Sequence, residues 1–392
     1  MIKRVCVVLV DRANYGRMQP VMHAIDAATD LELLIVCAGT MLLERFGQAE
    51  KIVIADGFTV NGRVYMELEG SVPATMAKSI GVGIIEFSTE FQRLNPDLVL
   101  IIGDRYEALA AAISAAYMNI PIAHIQGGEV SGSIDESARH AITKFSHLHF
   151  PSTARAAEYV IKLGERSDCV FNVGCPAGDY ITKLDTRLPP DIFNRVGVGA
   201  NIDPNKPFIL VIYHPVTTAY GNERYQAEQL LMALHNLAYP TLWIWPNIDA
   251  GADEISKCIR SYRERHQDSS QWLHLIKNLD PVTFQKCLKK AVCAVGNSSS
   301  FIRDSVFSGT PVVLVGERQS GREHGENLLH VPPVSTEIIK AVSYQLHHGR
   351  YAPSTLYGNG TASEQIVEKL KLFKPYKQKI LQYVYDHERS DT

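Results

Sequence analysis

The sequence predicts an α/β protein made of two Rossmann-like domains facing a cleft, and three observations carry that expectation. Short apolar runs alternate with helix-length amphipathic segments along the chain, the pattern of parallel sheets covered by helices. The length, 392 residues, suits two ordinary domains better than one. The alternation lapses once, in LDTRLPPDIFNRVGVGANIDPNK at residues 184–206, a Pro/Gly/Asn/Asp-rich passage that reads as linker and surface turns. The boundaries that follow are 1–185 for the first domain, 186–370 for the second, and 371–392 for a polar helical segment expected to pack back on the first.

Residues 4–10 form a buried strand rather than a secretion signal, because Asp11 and Arg12 follow at once and no small-residue cleavage site appears. Residues 11–16 then read as a loop. Met18, Val21, Met22 and Ile25, at i, i+3, i+4, i+7 spacing, mark a helix that tolerates Pro20 in its first turn. Further strands are expected at 31–37, 98–102, 120–125 and 170–173, with an Ala-rich helix at 107–118. The second domain repeats the pattern with PFILVIY, TLWIWP, WLHLI, AVCAVG and PVVLVG.

Composition removes several function classes. Lys and Arg number 39 against 42 Asp and Glu, a net charge of -3, which favours neither nucleic acid nor an anionic membrane as partner. No stretch approaches the roughly 20 apolar residues of a membrane span, so a soluble chain is expected. The seven cysteines are scattered without CxxC pairs, and Cys6 and Cys293 fall inside expected strands; reduced thiols and a cytoplasmic location follow.

In open α/β sheets ligands bind beyond the carboxyl ends of the strands, and those loops are polar here. After AVCAVG come Asn297, Ser298, Ser299 and Ser300, then a helical segment FIRDSVF: hydroxyls and free N–H groups at a helix start suit a phosphate. A simple N-cap would need only one such residue. Asp304, one turn on, is either a ribose-hydroxyl acceptor or a solvated helix residue. The first loop supplies Arg12, and Gly16 allows close backbone approach, but GxGxxG is missing, so no nicotinamide or flavin cofactor is expected, and without a Walker lysine motif ATP hydrolysis loses its best evidence.

Asp104, Arg105 and Glu107 follow one strand; Gln126 to Glu129 follow the next, with Asp135, Glu136, Arg139 and His140 beyond. Acids and arginines gathered at neighbouring strand ends can move protons and stabilise anions, which makes this cluster the catalytic candidate. Asp135 and Glu136 have a second reading as ordinary helix-start charge; Asp104 and Glu129 are harder to dismiss that way. In the second domain His214 can protonate or hydrogen-bond a phosphoryl oxygen, Asn247 follows another strand, and Arg318 and Arg322 lie in a Gly-containing loop suited to a diphosphate. His140, His147 and His149 lack a coherent ligand set, and no metal is expected.

DRANYGRMQP, GDRYEALA, HIQGGEVSGSIDESARHAITKFSHLHF, YHPVTT, PNIDAG and GNSSSFIRDSVFSGTPVVLVGERQSGREHGEN together closely resemble the hydrolysing UDP-N-acetylglucosamine 2-epimerases, in unbroken order over residues 3–331. The resemblance implies a two-domain glycosyltransferase-B fold, a UDP-sugar substrate, no cofactor, and dimers that pair into tetramers. It implies conversion of UDP-GlcNAc and water to UDP and N-acetylmannosamine for sialic acid synthesis, by elimination of UDP across C1 and C2 and hydration of the glycal. Asp104, Glu129, Asp135, Glu136 and Arg139 become the sugar-side residues, and Arg12, Arg105, His214, Asn247, Ser298, Ser299 and Arg318 the UDP-side contacts.

Four positions depart from the family. Gln126 stands where a catalytic Glu is usual, Asn14 replaces Asp, Arg17 replaces Lys, and Asp304 replaces a ribose-binding Glu. An amide orients a substrate but transfers no proton at neutral pH. These changes admit a related substrate, UDP-N,N'-diacetylbacillosamine on the way to legionaminic acid. Two remoter readings are a glycosyltransferase of the same architecture and a nucleotide-sugar sensor with an eroded site.

Overall fold

The computed structural model describes residues 2–382. The first sheet has six parallel strands: β1 (Lys3–Leu9), β2 (Leu31–Ala38), β3 (Gly62–Val64), β4 (Leu98–Ile102), β5 (Ile122–Ile125) and β6 (Leu148–Phe150), in the order β3-β2-β1-β4-β5-β6. The second has β7 (Gly197–Gly199), β8 (Ile209–Ile212), β9 (Thr241–Ile244), β10 (Leu273–Ile276), β11 (Cys293–Gly296), β12 (Val312–Val315) and β13 (Leu328–Val331), in the order β13-β12-β11-β8-β9-β10-β7. Only β7, on the edge, runs antiparallel, against β10. Strand order reverses between β1 and β4 and again between β8 and β11, and each reversal opens a crevice at the strands' carboxyl ends.

The apolar runs are continuous because each sheet is buried on both faces. Val5, Val7 and Leu9 enter one core while Cys6, Val8 and Val10 enter the other, the two-residue alternation of a strand. In the second sheet Ile209 and Val211 divide from Leu210 and Ile212 in the same way. All seven cysteines are buried and none is disulfide-bonded. No helix among the described residues is long and apolar enough to cross a membrane.

Several expectations need correction. The first helix starts at Arg12, not after a loop ending at Gly16: Asp11, extended at φ -148°, caps it by accepting the Asn14 N–H at 2.7 Å. Gly16 therefore lies within the helix, where a Cβ would come within 3.0 Å of Pro281 Cβ in the second domain. Pro20 sits in the helix interior, which loses the hydrogen bond to the Gly16 carbonyl. The expected strand at 170–173 shrinks to a single bridge from Val170 to His149. The passage 184–206 is not all linker: it holds a short helix, Ile192–Val196, and β7. Two of three β7 residues are glycine, so no apolar run announced it.

The chain also changes domains earlier than expected at both crossings. Cys175, Ala177 and Ile181 already pack in the second domain's core. The helix Ala362–Leu372 returns Ala362, Ile366, Val367 and Leu370 to the first core, and Lys3 Nζ donates to the Leu370 carbonyl at 2.6 Å. Pro375 bars helical continuation, so 373–382 run without regular structure, with Tyr376 edge-on to His147 at 4.9 Å. The rest of the expected 371–392 helical segment lies outside the described residues.

Gly296 ends β11 at φ +141°, and a Cβ there would sit 1.9 Å from the Ile212 carbonyl oxygen. Gly296→Ala is expected to cost more than about 2 kcal/mol in urea unfolding, through a forbidden backbone angle and a clash with the neighbouring strand.

Candidate active site

Both switch points open into one cleft, with about 1450 Å³ of space including its open mouth. Four acids (Asp11, Asp104, Asp135 and Asp304) share its wall with seven cations (Arg12, Arg17, Arg105, Lys277, Arg303, Arg318 and Arg322). The global charge balance conceals this local positive excess.

On the first-domain side Asp104 follows β4 and pairs with Arg139, whose other nitrogen donates to the Glu129 carbonyl at 2.7 Å. Arg322 of the second domain lies 3.8 Å from the same carboxylate. Burial raises the Asp104 carboxyl, but Arg139, Arg322 and Arg303 outweigh it and hold the group well below the ordinary range. Asp135 opens the helix Asp135–Phe145, accepts from Ser133 Oγ at 3.0 Å and faces Arg318 Nη2 at 3.4 Å. Burial first and the Asp104 carboxylate second raise its proton affinity. Two wall carboxylates with proton affinities pushed apart are the arrangement that acid–base chemistry uses.

Glu136 does not reach this wall. Successive helical side chains diverge by about 100°, so Asp135 and Glu136 cannot both face the cleft. The Glu136 carboxylate instead accepts the Ser131 N–H at 2.7 Å and holds the loop. Glu129 is likewise set behind the wall, fully engaged by Arg303 at 2.7, 2.9 and 3.1 Å and by Arg322 at 3.4 Å. Gln126, at φ +65°, lines the cleft and donates through Nε2 to Cys175 Sγ at 3.3 Å. Arg139 is wholly buried beneath Asp104 and does not face the cleft.

The second domain brings His214, Asn247, Ser298, Ser299, Asp304 and Arg318 to the opposite wall, with first-domain Arg12 and Arg105 completing the set. Asn297 fixes the switch point by accepting the His214 N–H at 2.7 Å and donating to its carbonyl at 2.8 Å. His214 Nδ1 accepts the Asn247 N–H at 3.1 Å, which leaves Nε2–H as the donor. Burial, aided by Arg318, pushes this imidazole down to about 3, so at neutral pH it offers a hydrogen bond and not an acidic proton. Burial lowers Arg12 to about 10, which leaves it cationic.

The serine loop opens only a four-residue helix, Ser300–Arg303, so the expected helix dipole is small and the hydroxyls and N–H groups must do the binding. Asp304 is buried: one oxygen accepts from Gln285 Nε2 at 2.7 Å, and Oδ1 has no partner. Asn14 Oδ1 and Arg17 Nε are also buried, unpartnered and on the cleft wall. The solvated-helix reading of Asp304 falls, and an acceptor awaiting a hydroxyl fits.

Sequence reasoning missed Arg303 and Asp249. Asp249 pairs with Arg105 and lies 3.5 Å from Arg318. Their partners are 174 and 144 residues away in the chain, so no local pattern marks either. The histidines set aside as metal ligands are otherwise occupied: His149 meets Glu165 at 3.1 Å and His147 meets the Lys377 carbonyl at 3.3 Å. Among the described residues, His235, His266 and Asp268 have metal-like spacing, but they precede the amino ends of β9 and β10, away from the cleft.

Two doubly wound domains closed on an arginine-rich, acid-bearing cleft define an enzyme of the glycosyltransferase-B architecture. The family model described as UDP-N-acetylglucosamine 2-epimerase matches residues 23–371, and the chain belongs to that family. It is 34% identical over 371 residues to the hydrolysing UDP-N,N'-diacetylbacillosamine 2-epimerase of Legionella pneumophila, covering 95% of this chain and 96% of the relative. It is 31% identical to the hydrolysing GDP/UDP-N,N'-diacetylbacillosamine 2-epimerase of Campylobacter jejuni, over 83% of this chain and 84% of that one. The fold is shared with the UDP-GlcNAc 2-epimerase of Neisseria meningitidis bound to UDP-GlcNAc, at a TM-score of 0.76 and 17% identity, with 94% and 99% of the two chains covered.

Proposed function

We propose that this chain is a hydrolysing 2-epimerase of UDP-N,N'-diacetylbacillosamine, releasing UDP and the free 2-epimeric diacetamido sugar. The observation that carries the substrate is the identity, above 30% over most of the chain, to two relatives that bear this activity in their names. That reverses the order in which the sequence motifs alone rank the two sugars. Gln126 is compatible with this reading: an amide on the cleft wall can both accept from and donate to an acetamido group, which a carboxylate cannot, although UDP-GlcNAc carries one such group as well.

The reaction breaks C2–H and the C1–O bond to UDP while C1=C2 forms; water then adds at C1 and a proton returns to C2 on the other face. Asp135 takes the C2 proton, since burial sustains its affinity for one; the proton that returns on the other face comes from the water whose hydroxyl adds at C1. Asp104, held ionised by guanidiniums, supplies fixed negative charge for the positive charge that develops at C1. Arg12, Arg105 and Arg318, with Ser298, Ser299 and the His214 Nε2–H, receive the charge on departing UDP. The unpartnered Asp304 oxygen accepts from a ribose hydroxyl.

A second reading, UDP-GlcNAc to N-acetylmannosamine for sialic acid synthesis, is favoured by the description of the matched family model. Side-by-side turnover separates them. The diacetamido nucleotide sugar is expected to exceed UDP-GlcNAc by at least about tenfold in kcat/KM, the scale of a few pocket contacts. Equal or reversed preference returns the assignment to UDP-GlcNAc.

A further inference from the structure

Asp249 lies in the loop after β9, and first-domain groups hold that loop in place. The Gly251 N–H donates to the Ser71 carbonyl at 3.1 Å, and the Ala250 N–H meets Met76 Sδ at 3.3 Å. Asp249 is 2% exposed and does not line the cleft, so substrate does not reach it. One carboxylate oxygen takes Arg105 Nη1 from the first domain; the other takes Asn247 Nδ2 and faces Arg318 Nη2 at 3.5 Å. That same Arg318 nitrogen is 3.4 Å from Asp135 Oδ2, so one N–H group stands between the two carboxylates.

Resting on the 2-epimerase reading, we propose that Asp249 is a positioning residue: its carboxylate ties Arg105 to Arg318 across the cleft, aims both at the departing diphosphate, and sets negative charge behind Asp135. Arg105 has three carboxylates to choose from, Asp249, Glu107 at 2.9 Å and Asp11 at 3.8 Å; only Asp249 belongs to the second domain. Breaking that pair leaves Arg105 with carboxylates of its own domain alone, Glu107 and Asp11. The charged groups facing Asp135 are Asp104, Arg318, Asp249 and Arg105. Burial and Asp104 raise its proton affinity most, Asp249 adds to the rise, and Arg318 and Arg105 oppose it. Asp249 itself, despite burial, is held ionised by Arg105 and Arg318.

Asp249→Asn keeps size but removes the charge, which lowers the proton affinity of Asp135. The acidic limb of kcat/KM is expected to move down by about half a pH unit or more, with kcat falling at least about tenfold. Asp249→Glu keeps the charge but displaces the arginines, so the limb stays at its wild-type pH while kcat falls. Circular dichroism confirms folding of each variant. An Asn variant with the wild-type limb overturns the proposal. If the Asn variant does not fold, the Glu variant decides: a displaced limb or an undiminished kcat overturns it. Wild-type UDP release from either nucleotide sugar is measured first, and its absence refutes the 2-epimerase reading and not the role of Asp249.

Discussion

Asp135→Asn is expected to reduce kcat/KM for UDP release by about 10³-fold, within the range that a positioned acid–base group supplies, while UDP affinity changes by no more than a few-fold. The amide preserves the volume and can still accept from Ser133 Oγ, which lies 3.0 Å from the carboxylate, but it cannot take a proton from C2. UDP affinity is retained because Arg12, Arg105, Ser298 and His214 are untouched. The pH profile gives a second readout. Burial and Asp104 raise the Asp135 carboxyl, so its ionised, proton-accepting form is lost at a higher pH than for an ordinary carboxylate. The wild-type acidic limb therefore lies above the usual Asp range, and the residual activity of the Asn variant should lack that limb. Rates from stopped assays of UDP release across pH, with UDP titrated calorimetrically, check both statements. An Asn variant turning over at the wild-type rate would move the proton-transfer role elsewhere.

The contrast between Asp135 and its neighbour shows how far the sequence could be read. Apolar runs identified β1, β2, β4, β5, β8, β9, β10, β11 and β12 because a strand buried on both faces must be continuously apolar. The edges β3, β7 and β13 have an exposed residue or lack a side chain to bury, so their pattern is weak. Polar loops after the strands located the cleft, since ligand groups need exposed backbone at strand ends. What one dimension could not supply was depth. DES at 135–137 and GGE at 127–129 look equally catalytic as text, yet helical geometry turns Glu136 aside, and two arginines from the other domain claim Glu129. Arg303 read as one more polar residue in FIRDS until the fold set it against Glu129.

Glu129 therefore carries the largest stability prediction. Both its oxygens accept from Arg303, and Arg322 lies 3.4 Å away. Arg139, Arg303 and Arg322 stand against only Asp104 and Glu129, so the buried cluster already has one excess cation. Glu129→Ala would leave two guanidiniums from the second domain without their countercharge, at a cost of about 3–5 kcal/mol in denaturant unfolding. Glu129→Ala with Arg303→Met should cost less than the sum of the single changes, because the unpaired charge goes with its partner. The pH dependence has a definite sign. Burial would raise the Glu129 carboxyl, but Arg303 and Arg322 depress it below its unfolded value. Its stabilisation is thus complete above the unfolded pKa, about 4.3, and disappears as pH falls through the depressed folded value. Wild-type stability should decline through that acid window more steeply than that of the Ala variant. An Ala variant that keeps stability to within about 1 kcal/mol yet loses turnover would return Glu129 to the chemistry, and the geometry behind the wall argues that the opposite pattern will be found.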